Sequence, residues 1–123
     1  MKTKDSIIRQ KTFDFAIRVV NLYKYIVTDK KEYVLSKQLL RSGTSIGANV
    51  NEALYGQSKR DFISKLHISI KEASETKYWL ELLNATGYLD EKEYNSIAND
   101  NVEILKILTS IIKTSKQNLD NEN

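Results

Sequence analysis

Cysteine and proline are absent from the 123-residue sequence, and glycine occurs only at Gly43, Gly47, Gly56 and Gly87. The first absence excludes disulfides, thiol nucleophiles and thiolate metal sites. Without proline, and with so little glycine, the chain lacks the turn residues that a β-rich fold needs at short intervals. His67 is the single histidine, so neither a histidine-based metal centre nor a conventional catalytic triad can be assembled. No apolar run approaches the roughly 20 residues that span a bilayer, and residues 1–5 lead into no apolar signal segment. The expectation is one cytoplasmic domain over residues 1–123 with no membrane partner.

What is present reads as four helices. Ile8, Phe15, Ala16, Val19, Leu22, Tyr23 and Ile26 recur at three- and four-residue steps and predict a helix over about 5–28. A charged connection, 29–32, precedes Ser36, the expected N-cap of a second helix that carries Leu39, Leu40, Gly43, Ile46, Gly47, Val50 and Leu54 inward and ends at Gly56. Ser58 and Asp61 resemble a capping box for the third, whose inner stripe is Phe62, Leu66, Ile70, Ala73, Lys77, Leu80 and Leu83. Gly87 suits the left-handed position past its end. Asp90 and Glu93 form a capping box for the fourth, with Tyr94, Ile97, Ile104, Leu105, Leu108, Ile111 and Ile112 inward and a polar, frayed tail from about 116. Three short connections make this an all-α, antiparallel up-down-up-down four-helix bundle.

The net charge of +3 is unevenly placed: residues 1–77 carry a surplus of 7 positive charges and residues 78–123 a deficit of 4. Such a basic front either steers an anionic partner or is ordinary surface scatter. Lys37, Arg41, Lys59, Arg60 and Lys65, with Lys71 nearby, are the candidate phosphate contacts, and Lys59 and Arg60 also sit at a helix N-terminus. Tyr33 and Tyr55 offer stacking surfaces.

Three helices carry more on their backs than a bundle in water requires. Ile68, Trp79 and Leu82 lie opposite Leu66, among Glu72 and Glu75; Arg41, Ser45, Ala48, Asn49 and Glu52 lie opposite Gly43; Phe13, Ile17 and Val20 lie outside the first stripe. Self-association through Arg41, Ser45, Asn49, Glu52, Ile68, Glu72, Glu75 and Trp79 is one reading, and side chains wrapped inward by bundle geometry are the other. Gly43 and Gly47, four apart, read as a close helix–helix approach. His67 reads as half-buried structure. Glu72 and Glu75 read as ion-pair partners of Arg41, Lys65 or Lys71 of the same or a neighbouring chain, because the Glu-x-x-His pairs of bundle metal sites are missing.

The run 35–50, LSKQLLRSGTSIGANV, closely resembles the 23S rRNA intervening-sequence protein family, as do 61–66 and 71–80, DFISKL and KEASETKYWL. The resemblance implies a bundle that assembles into a five-membered ring. It also extends to the accessory protein of diversity-generating retroelements, a basic pentamer that binds nucleic acid and a reverse transcriptase. Arg41, Ser45, Asn49, Glu52, Glu72, Glu75 and Trp79 stand at its motif positions. With no nucleophile–base pair and no ligand set, the chain is read as no enzyme, with no metal and no cofactor. The expected function is a non-catalytic homo-oligomeric scaffold, a homopentamer by resemblance, that contacts RNA or DNA through its basic residues. The alternative is a protein-interaction module for a partner such as a reverse transcriptase, without direct nucleic-acid contact.

Overall fold

The computed structural model describes residues 3–121, which form four helices and no strand: α1 (Lys4–Lys30), α2 (Leu35–Leu54), α3 (Lys59–Ala85) and α4 (Glu91–Asn121). Each packs on its sequence neighbours, and α1 closes the bundle against α4. The architecture is the expected antiparallel four-helix bundle.

Local chemistry explains most of the boundaries. The Thr3 hydroxyl accepts the Ser6 N–H at 3.2 Å and starts α1. Ser58 accepts the Asp61 N–H at 3.1 Å and starts α3. Asp90 and Glu93 satisfy each other's backbone N–H at 3.0 and 2.7 Å, a complete capping box. Past α3, Gly87 adopts φ +87°, which lets the Tyr88 N–H turn back to the Leu83 carbonyl at 2.9 Å and buries Leu89.

The start of α2 departs from the expectation. Ser36 is not its N-cap but a buried residue of the first turn, whose hydroxyl donates to the Glu32 carbonyl at 2.9 Å. The cap comes from Glu32, a buried carboxylate that accepts the N–H groups of Val34, Leu35 and Ser36 at 2.9, 2.7 and 2.8 Å. Burial alone pushes the Glu32 carboxyl up; the three backbone donors outweigh it and hold the group below the usual carboxylate range. A helix N-terminus short of acceptors takes a full negative charge well.

The core follows the predicted stripes, with Phe15, Val19, Ile46, Leu66, Leu80 and Leu108 fully enclosed. It also holds polar side chains that hydropathy does not select. On α3 the inward positions include Ser69 and Thr76, while Lys77 points outward toward Glu81 at 3.8 Å. Buried hydroxyls need partners, and these have them. Ser69 Oγ donates to the Ile46 carbonyl at 2.9 Å, and Thr76 Oγ1 lies 2.8 Å from the Glu72 carbonyl and 3.0 Å from Ser42 Oγ. Asn101 fills the gap in the α4 stripe and donates to the Ala73 carbonyl at 3.0 Å. Helix α4 runs on to Asn121 rather than fraying at 116, because Leu119 continues the inward spacing of Ile112 and packs against the core.

The two α2 glycines lie where α1 presses closest. A Cβ on Gly43 would stand 2.8 Å from both methyls of Val19, and one on Gly47 would stand 3.2 Å from the Thr12 carbonyl oxygen.

Candidate interaction surfaces

Helix α2 borders two different surfaces. On its α3 side, Arg41 reaches across to Glu75 and, at 3.4 Å, to Glu72. The Arg41 guanidinium holds the Glu75 carboxyl below its usual range; burial opposes this, and the Trp79 indole N–H, 3.4 Å from Glu75 Oε1, supports it. Trp79 in turn meets Tyr78 edge-on, with ring centroids 5.0 Å apart. Further along, Lys65 stands 3.6 Å from Glu52. Ser45 and Asn49 fold back onto α2, donating to the Arg41 and Ser45 carbonyls at 2.6 and 2.8 Å. The structure therefore brings Arg41, Ser45, Asn49, Glu52, Glu72, Glu75 and Trp79 into one strip along the α2–α3 seam. These ion pairs are exposed and contribute little to stability on their own.

Trp79 itself is half-buried and packs against the core. Ile68, 38% exposed, stands at the edge of the strip and lines the next groove, between α3 and α4.

On its α1 side, α2 walls an open groove of about 840 Å³. Arg9, Phe13 and Ala16 line it from α1, and Thr44, Gly47 and Ala48 from α2. Phe13 is 62% exposed and Ile17, one turn on, 46%. Phenylalanine rings are seldom left in water at such a level beside a groove of small residues. The groove is the feature that periodicity alone did not reveal. Its signal was the small residues Ala16, Gly47 and Ala48 on two facing helices.

The candidate phosphate contacts do not converge. Arg41 and Lys65 are engaged with carboxylates. Lys37 starts α2, and Lys59 and Arg60 start α3, about 25 Å away along the bundle axis at 1.5 Å per residue. His67 is exposed rather than half-buried, because it falls between Arg60 and Lys71 on the outer face of α3. Tyr33 and Tyr55 are both exposed, in the connections before and after α2. On the α1–α4 side, Lys11 pairs with Glu103 at 2.6 Å, and Arg18 pairs with Asp100 and donates to Ser96 Oγ at 2.9 Å. Among the described residues no group of three or more His, Asp or Glu side chains is placed to hold a metal ion, and no helix is long and apolar enough to cross a membrane.

Fold and surface together define a small all-helical bundle with its distinctive chemistry on its outside. The chain belongs to the 23S rRNA-intervening sequence protein family, whose model matches residues 4–110. It is similar to a crystal structure from Bacteroides thetaiotaomicron, described as a protein of unknown function from the S23 ribosomal protein family. The two are 58% identical, with a TM-score of 0.89 over 90% of this chain and 99% of that one. Among curated proteins none matches.

Proposed function

We propose that the chain is a non-catalytic scaffold that assembles into a closed ring of identical copies and holds RNA or DNA on it. The observation that carries the reading is the pair of unlike surfaces on either side of α2: an open apolar groove with Phe13 at its rim, and a strip built on Arg41, Glu75 and Trp79. A two-fold dimer uses one self-complementary patch. Two different patches on one chain fit a head-to-tail contact, which closes into a ring when the rotation allows. Five members is the number that the family resemblance implies. The family's name links it to an rRNA insertion, which makes RNA the first nucleic acid to test.

Assembly is tested by the molar mass in solution. Wild-type protein at about 20 μM is expected to run as a single oligomer in sedimentation velocity and light scattering. Phe13→Glu places a charge in the apolar contact and is expected to give monomers with unchanged helix content. Phe13 is the better probe than Trp79, whose ring also supports the core. A monomeric wild type at that concentration overturns the ring.

A second reading is favoured by one observation: Arg41 and Lys65 are already paired with carboxylates. On that reading the ring grips a protein, such as a reverse transcriptase, and touches no nucleic acid itself.

A further inference from the structure

We infer that the outer face of α3, with one lysine from α4, is a binding track for a single nucleic-acid strand: Arg60, His67, Lys71 and Lys116 hold the phosphates and Tyr78 stacks a base. The inference rests on the nucleic-acid part of the proposed function and gives it a site, which keeps Arg60 and Lys71 of the basic residues singled out in the sequence and adds His67, Lys116 and Tyr78.

Three observations carry it. First, Arg60, His67, Lys71 and Tyr78 follow one another at spacings of 7, 4 and 7 residues, which keeps all four within an arc of about 40° on the helix. The three basic members and Tyr78 are exposed, Tyr78 at 57%. Second, a groove of about 490 Å³ beside this stripe is lined by Arg60, Ser64, His67 and Lys71 from α3 and Lys116 from α4, over an apolar floor that includes Ile63. Among the described residues no aspartate or glutamate lines it. Third, Arg60, Lys71 and Lys116 form no ion pair among the described residues, whereas Arg41 and Lys65 do. Of the acids flanking the stripe near Tyr78, Glu75 is engaged by Arg41 and by the Trp79 N–H, and Glu81 pairs with Lys77 at 3.8 Å.

The dimensions suit a short strand. Arg60 to Tyr78 is about 27 Å along the helix at 1.5 Å per residue, the length of roughly eight stacked nucleotides at about 3.4 Å each. Lysine and arginine supply sequence-independent phosphate contact, and an exposed aromatic at the end of a basic groove is how proteins hold unpaired bases. A base in a duplex is already stacked and gains nothing from Tyr78. The committed ligand is therefore a single strand. His67 faces Arg60, Ser64 and Lys71 of its own helix and Lys116 of α4, and it is the only histidine in the chain.

Fluorescence anisotropy with fluorescein-labelled 12-nucleotide oligo(U), oligo(dT) and a 12-base-pair duplex tests the track at about 50 and 200 mM salt, where phosphate contacts differ most. Wild-type protein is expected to bind both single strands more tightly than the duplex. Lys71→Glu with Lys116→Glu is expected to weaken binding at least tenfold and to reduce the salt slope by about two. Tyr78→Ala is expected to cost roughly tenfold and Tyr78→Phe little. Helix content and oligomer mass are measured on each variant, so that loss of binding is read only from folded, assembled protein. A wild type that binds none of the probes at 50 mM salt overturns the nucleic-acid part of the proposed function, and this inference with it. A wild type that binds, with the double lysine variant equal to it, overturns the track and leaves that function standing. Duplex bound as tightly as single strand, with Tyr78→Ala unchanged, overturns the assignment of a single strand.

Discussion

Gly43→Leu is expected to lower the melting temperature by on the order of 10 °C, corresponding to about 3 kcal/mol of overpacking in a domain of this size. Leucine is the better helix former by close to 1 kcal/mol, so propensity alone predicts the opposite sign. Packing decides. The Cβ would stand 2.8 Å from two methyls of Val19, a residue with no exposed surface and so no free direction in which to yield. Gly47→Leu meets the Thr12 carbonyl oxygen, which belongs to the α1 backbone and moves only if the helix moves. Thermal unfolding by circular dichroism reads both. Unchanged or raised melting temperatures would show that α1 and α2 are not held this close.

Glu32→Ala is expected to cost about 2–3 kcal/mol at neutral pH, because three N–H groups at the start of α2 lose a charged acceptor together. The pH dependence identifies the cause. The folded-state pKa of Glu32 is depressed below the unfolded one, so its contribution is fully present above the unfolded carboxylate value and is lost as pH falls through the folded one. The stability gap between wild type and Glu32→Gln is therefore expected to be constant from about pH 8 to 5.5 and to narrow below about pH 4.5. Urea unfolding across that range measures it. A gap that persists undiminished into acid would mean that the glutamate acts through its shape and not its charge.

Glu32 also shows what was legible in the sequence. The starts of α3 and α4 were visible because their caps lie within four residues and use a recognised pairing, Ser58 with Asp61 and Asp90 with Glu93, whereas the Thr3 cap of α1 was not identified. Glu32 caps from before the helix it serves, while the serine that looks like the cap is buried and serves a carbonyl. The inner stripes were legible wherever they are apolar. They failed at Thr76 and Asn101 because hydropathy registers a polar group and not the carbonyl that satisfies it; with Thr76 passed over, the neighbouring Lys77 was placed inward. On the surface, Arg41 with Glu72 and Glu75 was legible as an ion pair, since α2 and α3 had to be neighbours. The α3–α4 groove was not. It needs Lys116, which lies in the segment read as a frayed tail, and it needs His67 outside, where a lone histidine beside an apolar stripe is not expected.

An even number of antiparallel helices returns the chain to the side from which it set out. Asp5 of α1, Gly56 to Lys59 of the α2–α3 connection, and Ser115 and Asn118 of α4 accordingly line one shared pocket, and Lys4 reaches Ser110 at 3.1 Å. A dye placed on Asn118 sits at the end of the bundle that carries Arg60 and Lys116, where it crowds whatever binds there. The far end carries the 31–34 and 86–90 connections, where Glu32 caps α2 and Leu89 is buried. Gly87, at that end, has no atom within 4 Å of where a side chain would begin, but its φ of +87° strains any L residue placed there.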